Sequence, residues 1–392
     1  MRRVLAVAAV LAGILAVAPA GAHARGEVTL LAKVPVPGFP ASAYPHPQGP
    51  IYVGTYTNPS GDRFRSRVLE YDRDGTLGRS WTVPDQDLST DHGIQVATSD
   101  PRGKLVLLDR TPARVLLLDR QTGDFDRYAT FADLPACPGA QVQSGCSPSQ
   151  RDLPPMANYA AWAPDGGLYV TDFQQAVIWR VPPGGGAAEV WLADRRLDGQ
   201  QFGTTGIALA ADRRSFLITQ GSSGGAGALN PATGKLYSVE IGPNGRPGDL
   251  RQLWESGPAE LPDGFGIARS GRIYIALATA NQIAMIGPDG REHERFSDPG
   301  FDTPSSAKFY GTKLAVPNQS FATGSRDRHT LMSVEAGEEG LPSSYRPPPT
   351  RSRRSSRTCP SSARSSARAG THAGLRRASG AGSGAGRASA SA

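Results

Sequence analysis

Residues Leu261-Pro-Asp-Gly-Phe-Gly-Ile-Ala-Arg-Ser-Gly-Arg-Ile-Tyr-Ile-Ala276, followed by Gln282-Ile-Ala-Met-Ile-Gly-Pro-Asp-Gly290, hold one complete unit of the pattern on which this chain is built. A turn-rich opening leads into a short apolar strand. An Arg-Ser-Gly turn follows, then a strand of Ile, Tyr and Ala, a short gap, and a third strand that stops at Pro-Asp-Gly. Glycine and aspartate supply the turn conformations, and the β-branched and aromatic residues between them favour extended backbone.

The same succession recurs in both directions. Upstream lies Asn158-Tyr-Ala-Ala-Trp-Ala-Pro-Asp-Gly-Gly-Leu-Tyr-Val-Thr-Asp172 with Val177–Val181, and further copies begin near residues 40, 91, 204 and 303, the last of them weaker. Six copies at spacings of 51, 66, 47, 58 and 41 residues come close to a repeat of roughly 40–50 residues with three or four strands each. One copy alone leaves an apolar sheet face in water; six stacked about an axis bury those faces against each other. The expected fold is all-β, a six-bladed β-propeller over residues 25–344. A pair of β-sandwiches is the competing architecture. The segment Glu27–Val34 reads as a strand with no copy of its own, and is expected to complete the sixth blade from the other end of the chain.

The termini differ from this middle. Arg2-Arg3, an apolar run from Val4 to Val17 and Ala22-His23-Ala24 read as a secretory signal over residues 1–24, so the protein is expected to be secreted, on the extracellular or cell-envelope side. Residues 345–392 are rich in Arg, Ser, Ala and Gly, with almost no large apolar residue, and are expected to be a disordered basic tail. The 392 residues carry a formal net charge of +7, but ten Arg fall in that tail and two in the first 24 residues. Without these, 30 basic residues face 35 acidic ones, about −5, which gives the folded part no polycationic surface for nucleic acid. Beyond the leader there is no run long enough to span a bilayer. Export permits disulfides, and Cys137 and Cys146, around a loop with two glycines, are the expected pair.

The Leu261–Ala276 and Asn158–Val170 stretches resemble the regucalcin/gluconolactonase family, also called senescence-marker-protein-like or luciferin-regenerating-enzyme-like. The resemblance runs over roughly residues 35–342. It implies a six-bladed propeller with one divalent metal (Ca, Mg or Mn) in the central channel, held by a Glu, two Asn and an Asp at the openings of inner strands. Asp263 matches the family aspartate, and is the expected metal ligand and catalytic base. Asn158 matches a metal-binding asparagine. Thr205 stands where a second Asn is usual, and Pro40–Pro47, which includes His46, stands where the Glu belongs. His92, Thr205 and Asn318 are the expected substrate-binding residues. Carboxylate and amide oxygens suit hard cations, which polarise carbonyls and activate water. The implied function is therefore binding, and hydrolysis, of a small lactone or ester. The alternative is a non-catalytic ligand- or protein-binding propeller that has lost the metal site. The sequence contains no phosphate loop or zinc spacing.

Overall fold

The structure, a computed structural model, describes residues 24–341 apart from 140, 143–144, 200–201 and 223–232. The leader and tail expectations lie outside these residues, as does most of the glycine-rich loop after Gly221. Six small antiparallel sheets stand around one axis, each with its first strand innermost. The inner strands are Pro40–Pro45, Ile94–Ser99, Ala157–Trp162, Thr204–Leu209, Pro262–Ile267 and Lys308–Tyr310. Three further strands follow each of the first five outward; in blade 5 these are Ile273–Leu277, Gln282–Ile286 and Glu292–Ser297. Among the described residues the only helical segments are the 3-10 turns Arg195–Leu197 and Arg326–Arg328, and no helix is long and apolar enough to cross a membrane.

Burial explains why the second strands read as unbroken apolar runs. Ile51–Thr55, Leu105–Asp109, Leu168–Asp172 and Ile273–Leu277 are buried at every position, because each is covered on both faces by neighbouring blades. The outermost strand Leu77–Thr82, by contrast, is exposed at nearly every residue. The apolar core is divided accordingly. One cluster fills each gap between blades: Tyr44, Tyr52 and Val68 meet Ile94 and Leu105 between blades 1 and 2, for example, and Leu217 and Leu236 meet Phe265 and Ile275 between blades 4 and 5. The six clusters close the circle, one joining Leu314 and Val316 of blade 6 to Tyr274 and Met285 of blade 5, and another joining Leu331 and Ala315 of blade 6 to Val53 and Leu69 of blade 1.

Blade 6 is assembled from both ends of the described chain. Its strands Lys308–Tyr310, Lys313–Asn318 and Thr330–Glu335 come from the end, and its outer strand, Val28–Lys33, comes from the beginning. Val28 pairs with Val334 and Lys33 with Thr330, so the expected closure strand is in place. The long spacing between the second and third copies is accounted for by the loop carrying the Cys137–Cys146 disulfide, which is present with its Cα atoms 4.8 Å apart. Ser147 in that loop bonds Gln175 of blade 3, and Ser149 bonds Asp198. Blade 2 gains a short fifth strand, Gly186–Ala187, which runs parallel to Phe125–Thr130.

Deleting residues 26–34 strips the outer strand from Thr330–Glu335, all six of whose residues are buried. We expect the variant to lose the single cooperative thermal transition of the intact protein by circular dichroism; an unchanged melting curve rules out this strand as the ring's closure.

Candidate functional site

The inner strands converge with their leading ends on one side of the ring, so residues far apart in sequence meet there. The second residues of the first five are Ala41, Gln95, Asn158, Thr205 and Asp263. In four of the five strands a bulge lies at these ends, breaking the ladder and turning side chains inward, and in blade 6 the residues Ser305-Ser306 take the corresponding place. A hydrogen bond crosses every blade boundary at this level. The Val96 amide donates to Ser42 Oγ at 2.9 Å, Gln95 Nε2 to Asn158 Oδ1 at 2.7 Å, and Thr171 Oγ1 to the Thr205 carbonyl at 2.6 Å. Thr205 Oγ1 donates to the Pro262 carbonyl at 2.9 Å, the Gly264 amide to the Ser305 carbonyl at 2.8 Å, and the Ala43 amide to Ser306 Oγ at 3.5 Å.

Three of the expected substrate contacts are spent on structure. His92 is fully buried, with Nδ1 2.8 Å from the Thr90 carbonyl and Nε2 2.7 Å from the Phe64 carbonyl, and it latches the loop between the second and third strands of blade 1 to the opening of blade 2. Thr205 is buried, with its hydroxyl on the Pro262 carbonyl and 3.0 Å from Thr219 Oγ1. Asn318 is fully buried; its Oδ1 accepts from the Asp302 amide, and its Nδ2 donates to the Gly300 carbonyl and Thr330 Oγ1. His46 follows the trailing end of its strand, away from the leading ends where a Glu ligand belongs, and burial with Arg120 nearby lowers its pKa to about 4.

Asp263 and Asn158 keep a little exposure, 8% each, and belong to one polar cluster. Around Asp263 stand the Tyr159 hydroxyl from blade 3 and Lys308 from blade 6, and Tyr56 lies between Asp263 and Gln95. The Tyr159 hydroxyl donates to the Ser305 carbonyl at 2.7 Å and also lies within hydrogen-bonding reach of the Asp263 carboxyl. Gly264 is required for this approach: a Cβ there would fall 2.5 Å from the Tyr159 hydroxyl oxygen and 2.6 Å from Ser306 Cβ. Lys308 Nζ donates to the Phe265 carbonyl at 2.8 Å and lies 5.5 Å from the Tyr159 ring centre. Lys308, Tyr159, Tyr56 and Gln95 had no motif to mark them. Lys308 opens a three-residue strand in the weakest copy, and only the blade packing brings it beneath Asp263.

Burial dominates the electrostatics. It pushes the Asp263 carboxyl up to about 8, against the lowering influence of the Tyr159 hydroxyl, the Gly264 amide and Lys308. It pushes the Lys308 amine down to about 8, opposed by the Asp263 charge. Burial, with Asp263 adding to it, raises the Tyr159 phenol well above its ordinary range. Near neutral pH the cluster thus holds a protonated carboxyl beside an ammonium. That arrangement does not fit the four-ligand cation set. Ala41 has no donor atom, the Thr205 hydroxyl is engaged, Asn158 Oδ1 accepts from Gln95, and Asp263 faces a cation. Among the described residues no group of three or more His, Cys, Asp or Glu side chains is placed to hold a metal.

The sign of the pH effect follows from the raised carboxyl. Between its ordinary 3.8 and about 8, folded Asp263 holds a proton that the unfolded chain releases, so stability falls as pH rises through that window. Asp263→Asn removes this ionisable group while keeping the shape. Its stability relative to the wild type is expected to grow by at least about 1.4 kcal/mol, the equivalent of one pKa unit, between pH 4 and pH 8 and then level off. Calorimetric unfolding across this range checks it; a pH-independent difference means that Asp263 is ionised throughout.

No protein-family model matches the sequence, and no curated protein does. Solved structures do. A calcium-binding regucalcin from Agrobacterium tumefaciens superposes with a TM-score of 0.52 at 15% identity, covering 79% of this chain and 95% of that one. A protein assigned as a gluconolactonase gives 0.54 at 16% identity, with 83% and 95% covered. A luciferin-regenerating enzyme gives 0.52 at 11% identity, with 78% and 94% covered. The match spans nearly the whole of each of these proteins, and the chain is a six-bladed β-propeller with the regucalcin/gluconolactonase fold.

Proposed function

We propose that this chain is a small-molecule-binding propeller whose ligand enters the central channel at the leading ends of the inner strands. There a lactone or ester carbonyl meets the Asp263–Tyr159 pair. The observation that carries this reading is the convergence of Asp263, Tyr159 and Lys308, from blades 5, 3 and 6, in one polar cluster at the hub. A protonated carboxyl donates a hydrogen bond to a carbonyl oxygen, and the ammonium beneath it favours negative charge on that oxygen. The fold shared with a gluconolactonase-assigned protein supports the ligand class. The disulfide Cys137–Cys146 supports an exported protein.

This places the chain nearer to the non-catalytic alternative than to a metal-dependent lactonase, because the donors for a cation are missing or engaged. Hydrolysis without metal is the second reading, favoured by the proton that Asp263 holds near neutral pH. In that case Asp263 protonates the carbonyl oxygen as water adds to the carbonyl carbon and takes a proton back from the added water; the tetrahedral intermediate then breaks its acyl C–O bond, Asp263 protonating the leaving oxygen and recovering its proton from the hydroxyl that becomes the new carboxyl group, and the rate falls as pH rises through about 8.

The test is calorimetric titration of the purified protein with γ- and δ-lactones, with and without EDTA, together with a pH-stat assay for acid release. We expect saturable binding that EDTA leaves unchanged and that Asp263→Ala weakens by about tenfold, the effect of one lost hydrogen bond to a charged or strongly polar partner. Binding that disappears with EDTA and returns with calcium rejects the metal-free site. Absence of lactone binding rejects the ligand class.

A further inference from the structure

The trailing half of the channel contains a second feature, which the lactone reading does not use. A cavity of about 260 Å³ lies there, and all six blades contribute to its wall, through Tyr44, Ala97, Trp162, Leu209, Ile267 and Lys308. At roughly 30 Å³ for each water-sized group, it accommodates a ligand of about nine non-hydrogen atoms. The wall is mainly aliphatic and aromatic. Two cations reach it: Arg213 at its exposed rim, and Lys308, mostly buried, from within the hub.

An ammonium has three N–H donors, and the Phe265 carbonyl takes one at 2.8 Å. The rings of Tyr159 and Phe265 stand 5.5 and 5.6 Å away and offer their π faces. The acidic group that Lys308 feels is Asp263, close to it in the hub, whose carboxyl is itself held near protonation. A desolvated cation at the end of an apolar cavity, with donors to spare, selects for an anion carried on an apolar body. We propose that the trailing half of the channel is a binding site for a small apolar monocarboxylate, its chain or ring between Trp162, Leu209 and Ile267 and its carboxylate on Lys308 Nζ. This site shares Lys308 with the leading-end site but has its own apolar wall, and it stands whether or not lactones bind at the leading end.

Benzoate, its primary amide and the full-length protein suffice for the test, read by isothermal titration calorimetry. The expected result is one saturable site with the acid bound at least about tenfold more tightly than the amide, as a charge-assisted bond in a desolvated site requires. Lys308→Met, which keeps the apolar stem, is expected to reduce acid binding to the amide's level. Arg213→Gln, at the exposed rim of the same cavity, is expected to preserve the preference. Leu209→Trp, which fills the cavity without touching Asp263 or Tyr159, is expected to abolish binding of both compounds while lactone titrations remain as in the wild type. Equal affinity for acid and amide overturns the proposal even if the Lys308 variant does not fold. So does no binding up to about 10 mM, well beyond the millimolar range of weak small-ligand association, or a preference that survives Lys308→Met and vanishes with Arg213→Gln.

Discussion

The hub is held by hydrogen bonds that run from blade to blade around the axis, one or more at each of the six boundaries. The polar groups exposed by the bulged openings of the inner strands cannot be left unpaired inside the protein, since each orphan costs on the order of 1–3 kcal/mol. In this chain they satisfy one another laterally. Ser42 takes the Val96 amide, Asn158 takes Gln95, Thr205 reaches the Pro262 carbonyl, and Ser306 takes the Ala43 amide. The apolar clusters between the blades supply most of the burial. The polar ring keeps the sheets in register with one another at the axis.

This arrangement also decides what is left for chemistry. A hydroxyl or amide committed to closing the ring is unavailable as a metal donor, which accounts for the roles of Thr205 and, in large part, Asn158. Asp263 differs because its carbonyl accepts from Thr219 while its carboxyl remains directed at Tyr159 and the channel. Placing Lys308 nearby instead of a second carboxylate reverses the electrostatic character of the hub. A set of carboxylate and amide oxygens attracts cations; a carboxyl with an ammonium beneath it attracts carbonyls and anions. The ligand class we propose rests on that reversal, with no strand moved.

Much of this was legible in the chain. Turn residues and apolar strands at a steady spacing revealed the blades, and the unpartnered Glu27–Val34 segment revealed how the ring closes. Cys137 and Cys146, nine residues apart around a glycine-bearing loop, revealed their bond. Asp263 and Asn158 were visible through their motif and do lie at the hub. His92 and Asn318 looked equally suitable by position, but each is consumed by nearby backbone groups, and no pattern of residue types distinguishes a side chain that bonds a carbonyl from one that faces the channel. Tyr56, Tyr159, Gln95 and Lys308 were missed for the complementary reason: tyrosine, glutamine or lysine in a strand has no signature until its neighbours in space are known.

Strand, turn and repeat are local matters, governed by backbone sterics and by apolar periodicity within a few residues, so the order of amino acids was enough to specify the all-β blades and their number. The charge state and composition of the hub are not local. They arise where Asp263, Tyr159 and Lys308, separated by up to 149 positions along the chain, are brought into a space that excludes water. Only three-dimensional packing could decide that, because desolvation depends on what surrounds a group and not on what precedes or follows it.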